Sequence, residues 1–239
     1  MTAGYADEDI YNCDETGVYW KSAHAKTLAV KGTRCKGDKQ SKERITLLLC
    51  ANKAGEKEKP LVIGKSVTPR CFKNVKAGAL PVTYTNQHNA WNNSEIFADW
   101  LKKFDQKIGR QRRKIVLFLD NAPCHPAAVQ LKNIKLMFFP PNTTSCLQPM
   151  DQGIIAAEKL KFRKSQLQDI LLAMEQDKSS SGFDLVKKTT LLVAINWLGS
   201  AWKQTTADTI KKCFKRSGFS FPDGVNQLIR MLPHVTQMP

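Results

Sequence analysis

Two rhythms of apolar residues alternate along the chain. Short runs of strand length come first. Residues 9–15 (DIYNCDE) carry Ile10, Tyr11 and Cys13 as apolar members and read as a strand ending in Asp14-Glu15, ahead of Thr16-Gly17. Residues 18–20 (VYW) read as a bend or short strand. Residues 28–32 and 44–55 (RITLLLCANKAG) read as two antiparallel strands around a basic, polar loop. Residues 60–66 (PLVIGKS) form another strand-like run, and 81–93 a weak strand leading into a turn-rich loop. From Ser94 the period changes. Ile96, Phe97, Trp100, Leu101 and Phe104 are spaced for one face of a helix. Residues 114–120 (KIVLFLD) return to a buried strand that stops at an aspartate. Residues 126–132 suit a short helix, 134–141 a strand halted by Pro140-Pro141, and 142–149 a loop. Pro149 then opens a long helical pattern, as proline does in a first turn. Asp151 falls in that turn, where a carboxylate meets the positive end of the helix dipole. After the linker-like stretch 176–183 (QDKSSSGF), residues 185–203 and 206–219 read as two helices, the second stopping at Gly218.

This order predicts an α/β fold: a mixed sheet of antiparallel and parallel strands, flanked by helices. Residues 1–176 are expected to form the sheet domain and 177–239 a C-terminal helical extension. No run approaches the roughly 18 apolar residues of a membrane span, so no membrane partner is expected. The acidic start of the sequence has no basic and apolar leader pattern. The seven cysteines are odd in number and form no C-x-x-C pair, which argues against a zinc ribbon and for free thiols. Charge changes the picture more. There are 37 Lys and Arg against 21 Asp and Glu, a net charge of +16. The excess is densest at residues 26–42, 102–114, 159–164 and 211–216. A polyanion partner, nucleic acid above all, follows from such a balance.

Against this basic background, three aspartates occupy comparable places. Asp14 ends the first strand, Asp120 ends KIVLFLD, and Asp151 opens the long helix. Ligands of open α/β sheets gather at the carboxyl ends of strands, so the three can converge. Carboxylates held so close repel one another unless a cation lies between them. Mg²⁺ and its relatives prefer such hard oxygen donors, and two ions about 3.5–4 Å apart suit in-line phosphoryl displacement. Aspartate also ends strands and caps helices without further purpose, so each residue alone carries little weight.

The residues also resemble a family. The segments NCDETGVYWK, KERITLLLCANKAG, KPLVIGKSVTPRCFKN, VLFLDNAPCHP, MFFPPNTTSCLQPMDQGII and NWLGSAWKQTTADTIKKCFKRSGF are similar to the DDE-superfamily endonuclease domain of pogo/Tigger-type transposases. The jerky proteins and centromere protein B belong to the same group. The resemblance runs from Ile10 to about Phe219. It implies a ribonuclease-H-like fold with an acidic triad at Asp14, Asp120 and Asp151, serving as catalytic and metal-binding residues for Mg²⁺ or Mn²⁺ in a two-metal site. It further implies a nuclear protein whose partner is DNA, with transposon ends and TA-containing targets, and it leaves a homodimer open. Helix-turn-helix modules of the kind such proteins carry at their amino terminus are absent from this sequence, so the resemblance implies a catalytic module without its sequence-specific reader. The implied activity is cleavage and strand transfer of DNA phosphodiesters. The alternatives are a domesticated, catalytically silent DNA-binding or chromatin protein, and a nuclease for RNA–DNA hybrids.

Other residues compete for roles. Glu158, seven positions past Asp151, reads as a surface charge rather than a site carboxylate. His125 can orient a water or contact phosphate, or simply pack a turn. Asn121 reads as a loop residue. Glu15 neighbours Asp14 but points to the other face of a strand. Cys124 beside His125 does not face it as a nucleophile would. Most tryptophans read as core, while Trp91, in a polar loop, is the one placed to stack on a base.

Overall fold

The structure, a computed structural model, describes residues 4–22, 43–125 and 129–219. Six strands, β1 (Ile10–Tyr19), β2 (Arg44–Asn52), β3 (Leu61–Gly64), β4 (Thr83–Asn86), β5 (Ile115–Leu119) and β6 (Ile134–Phe138), form one sheet. The helices are α1 (Ser94–Arg110), α2 (Thr144–Leu147), α3 (Ile155–Gln176), α4 (Gly182–Lys188), α5 (Leu191–Gln204) and α6 (Ala207–Arg216). The spatial order is β4-β3-β2-β1-β5-β6. β1, β2 and β3 pair antiparallel, whereas β1, β5 and β6 run parallel. Three meandering strands followed by parallel crossovers make the mixed sheet that the apolar pattern predicts, in the ribonuclease-H-like form that the resemblance implies.

Strand alternation sorts the core into two layers. On one face Tyr11, Cys13, Leu48, Cys50, Ile63, Leu117 and Leu119 pack against Phe97, Leu101, Phe104 and Ile108 of α1. On the other, Ile10, Val18, Leu47, Leu49, Val116 and Phe118 pack against Phe162, Trp197, Leu198, Trp202, Ile210 and Phe214 from α3, α5 and α6. The helices beyond residue 177 therefore share the core of the sheet. Asn93 caps α1 through Ile96 N–H, Thr190 caps α5 through Val193 N–H, and Thr206 caps α6 through Thr209 N–H.

Several expectations change. β1 does not stop at Glu15 but continues to Tyr19, because β2 supplies partners along its whole length, from Tyr11↔Asn52 to Tyr19↔Arg44. The helical pattern at 185–203 divides into α4 and α5, since Thr189 and Thr190 adopt extended backbone between them. The loop at 142–149 contains the single turn α2. Of the short helix expected at 126–132, residues 129–132 are not helical and the rest lie outside the described residues, as does the strand expected at 28–32.

Candidate metal centre

The register of β1 on β5 places the first two aspartates. Ile10, Tyr11 and Asn12 pair with Val116, Leu117 and Phe118. Two further steps along both strands set Asp14 across from Asp120, on neighbouring strands about 4.8 Å apart. β5 has ended by then, so β1 loses its parallel partner near Asp14 while keeping β2 on its other side. Asp14 thus stands at the end of the β1–β5 pairing although it lies in the middle of β1, which corrects its expected place at a strand end.

Asp151 arrives differently. It belongs to a wide π-helical turn, Met150–Ile154, set apart from α3 by Gly153 at φ 134°. Few residues other than glycine tolerate that backbone. The expected continuous helix from Pro149 is therefore kinked here. Asn12 ties this turn to the sheet. Its side chain, fully buried, donates to Phe118 O at 3.0 Å and accepts from Met150 N–H at 2.9 Å. One residue so connects the three elements that carry the aspartates. Gln148 Nε2 donates to Asp151 Oδ2 at 3.4 Å, and Glu15 N–H donates to Asp14 Oδ1 at 2.7 Å.

The three aspartates feel one another's charge. Burial pushes Asp14 up to about 8, with help from the charges of Asp151, Glu15 and Asp120. Burial also raises Asp151, followed by the charge of Asp120, while hydrogen bonds from Gln148 and Asp14 pull it down. Asp120 behaves otherwise. Burial alone would raise it, but the hydrogen bond and charge of His125 prevail and hold it below the ordinary carboxylate range. His125 is buried, donates from Nδ1 to Asp120 Oδ1 at 2.7 Å, and donates from Nε2 to both oxygens of Glu15 at 3.1 Å. Burial opposes its charge, yet bonds to Asp120, Cys124 and Glu15 push it up to about 12. His125 is held between two carboxylates that favour its protonated form, with its ring tilted against Phe97 at a centroid distance of 4.3 Å. Glu15, Cys124 and His125 offer ligand atoms within 4.8 Å of one another, but both ring nitrogens of His125 are already engaged, by Asp120 and Glu15.

Asp14, Asp120 and Asp151 are a different donor set. All three are hard oxygen ligands, and burial, then the charge of neighbouring carboxyls, raises two of them. Such a site fits Mg²⁺ or Mn²⁺. Lys159 lies close by: burial lowers it first, then Arg163 and Arg44, while Asp14 and Asp151 draw it back up.

Glu158 corrects an expectation. It is 1% exposed rather than a surface charge, and neither carboxyl oxygen has a hydrogen-bond partner among the described residues. It sits near Lys57 and Lys161, which close the carboxyl end of α5. Lys57 Nζ donates to Trp202 O, Lys203 O and Thr205 O, and Lys161 Nζ to Gln204 O and Thr205 Oγ1. Asn121 holds its loop by donating to Phe139 O. Sequence reasoning missed Asn12, whose only signal was an amide inside an otherwise apolar strand, and the clamp of Glu15 on His125.

A family model described as DDE superfamily endonuclease matches residues 42–214. The chain belongs to the DDE superfamily. Asp120 and Asp151 lie inside the matched span, and Asp14 precedes it. Tigger transposable element-derived protein 4 of Mus musculus is 37% identical over 223 residues, covering 93% of this chain and 42% of that protein. Major centromere autoantigen B of Homo sapiens is 28% identical over 225 residues, covering 92% of this chain and 35% of its own length. The chain therefore spans about two fifths of the length of these DDE-superfamily relatives. Among solved structures, the Mos1 strand transfer complex aligns with 92% of this chain and 55% of its own at a TM-score of 0.49 and 13% identity.

Proposed function

We propose that this chain is the catalytic part of a metal-dependent DNA endonuclease of transposase type, acting in the nucleus. The observation that supports the reading is that Asn12 ties together the elements bearing Asp14, Asp120 and Asp151, whose charges act on one another, with Asp14 pushed up to about 8 by burial and then by its acidic neighbours. Residues 1–176 carry the chemistry in this reading, and the helices after 177 brace the sheet behind it. Asp14 in β1 and Asp120 just past the end of β5 would hold the ions, together with Asp151. Divalent ions held there would activate the attacking water or 3′-hydroxyl and stabilise the leaving oxygen. His125 keeps Asp120 ionised and fixes its rotamer through Nδ1, while Glu15 fixes His125 in turn. Asn12 sets the distance between the Asp151 turn and the sheet. The net charge of +16 favours the phosphate backbone of DNA and makes binding strongly salt-dependent.

Nicking of supercoiled plasmid in Mg²⁺ or Mn²⁺, wild type against Asp120→Ala, tests the reading. Metal-dependent nicking that the substitution lowers by at least about a hundredfold supports it. Equal nicking by both proteins would assign the activity elsewhere. DNA binding without cleavage by either would favour a silent, DNA-binding descendant of the family.

A further inference from the structure

Trp91 is 57% exposed. The other four tryptophans are not: Trp20, Trp197 and Trp202 are buried, and Trp100 is half-buried in α1. Trp91 lies in the loop between β4 and α1, and that loop is firmly tied down. Thr46 Oγ1 donates to Ala90 O at 2.7 Å, and Gln87 Oε1 accepts from Trp91 N–H at 3.4 Å. The next residue, Asn92, donates its side-chain N–H to Glu15, the partner of His125. Ala90 takes a left-handed backbone, φ 55°, to make the turn.

One side of the indole is occupied. The Arg44 guanidinium carbon lies 4.0 Å from the ring centroid. Arg44 reaches there because residue 17 is glycine: a Cβ at Gly17 would come within 2.5 Å of Arg44 Nε. Among the described residues Arg44 makes one side-chain hydrogen bond, a long one from Nη2 to Thr46 Oγ1 at 3.5 Å, and its buried Nε has no partner. The result is an aromatic surface backed by a positive charge, on a residue that is more than half exposed. Gly17 follows Asp14 by three residues in β1, about 10 Å along the strand, and strand alternation puts it on the face of Glu15, opposite that of Asp14.

We propose that Trp91 and Arg44 form a stacking platform for an unpaired nucleobase of the DNA strand cleaved at the aspartates. The inference rests on the nuclease reading for its substrate. The chemistry is that of single-strand binding sites: an aromatic face takes any base, while a guanidinium backs the ring and draws the adjoining phosphate. Trp91 carries the stacking and Arg44 positions it.

The test is equilibrium binding, free of catalysis and of metal. Fluorescence anisotropy compares a labelled single-stranded thymidine oligonucleotide with one of equal length made of abasic sites, at fixed salt. Wild type, Trp91→Phe and Trp91→Ala are measured. Wild type should favour the base-bearing strand by about tenfold, Trp91→Phe should keep most of that preference, and Trp91→Ala should lose it. Affinity for the abasic strand and its dependence on salt should be the same in all three, because the phosphate contacts are untouched. Trp91 is exposed, so matching urea midpoints are expected to verify the fold. Equal affinity of wild type for the two strands, or a preference that survives Trp91→Ala, would overturn the platform while leaving the nuclease reading to the nicking assay. Failure of wild type to bind either strand would overturn the platform too. Nicking under those conditions would still uphold the aspartate site.

Discussion

Glu158→Gln gives a quantitative test of the packing beneath α3. Glu158 is buried with both oxygens unpartnered among the described residues, and its pKa is pushed from 4.5 up to about 8 by burial, against the partial relief of Lys161 and Lys57. Below pH 4.5 the folded and unfolded chains both keep the proton, and the group does not affect stability. As pH rises from 4.5 to about 8, the unfolded chain ionises while the folded chain stays protonated, so wild-type stability falls. Above about 8 both states are ionised and the loss is complete. Each unit of pKa displacement is worth about 1.4 kcal/mol, so the full loss is about 5 kcal/mol and the part between pH 5 and pH 9 about 4 kcal/mol. Glutamine has the shape of the protonated acid and cannot ionise. The assay is urea unfolding of both proteins at pH 5 and pH 9 in reducing buffer. Other titrating groups, Asp14 included, are common to the pair and cancel in the difference. Glu158→Gln should exceed wild type by about 1 kcal/mol at pH 5 and by about 5 kcal/mol at pH 9, so its margin should widen by about 4 kcal/mol. Parallel pH dependences for the two proteins would refute the burial of an unpaired carboxyl at this position.

Two further substitutions probe how the aspartates are placed. Asn12→Leu leaves Phe118 C=O and Met150 N–H buried without their partner. It should cost about 2–4 kcal/mol in urea unfolding and lower nicking more than DNA binding, because the Asp151 turn is no longer tied to β1. Gly153→Ala forces a side chain onto φ 134°, while its Cβ would meet Cys213 Sγ at an ordinary 3.4 Å, so the cost is backbone strain of about 1–3 kcal/mol, read as a lower unfolding midpoint.

Local pattern carried the sequence reading as far as local physics decides structure. KIVLFLD is a strand because an unbroken apolar run of that length buries well on both faces of a parallel sheet, whereas IKLMFF, with Lys135 exposed, forms the half-buried edge strand beside it. The α1 periodicity set its buried face correctly, down to Phe97, Leu101 and Phe104. The failures share a cause, which is pairing between distant segments. Glu15-Thr16-Gly17 looks like a turn in isolation, yet stays extended because Leu48, Leu47 and Thr46 of β2 lie across from it. The kink at Gly153 was hidden because a glycine inside a helical pattern reads as tolerated. Glu158 was misplaced because α3 inverts the usual pattern. Leu160 is 72% exposed and Leu172 57%, while Glu158 and Gln166 are buried. Gln166 is satisfied there by Trp20 O and Arg163, neither of which is predictable from the helix itself. The three aspartates were legible as candidates from their places at the ends of apolar runs and from the resemblance. The clamp of Glu15 and Asp120 on His125 was not, since it joins residues 110 apart in sequence.

The central claim is that Asp14, Asp120 and Asp151 together hold divalent ions, and Mn²⁺ binding followed by electron paramagnetic resonance tests it most directly. Wild type should take up Mn²⁺ saturably and release protons as it does so, because Asp14, pushed up to about 8, must ionise to become a ligand. Asp120→Asn should lose most of that uptake. Identical uptake by the two proteins, or none by wild type across millimolar Mn²⁺, would contradict the account.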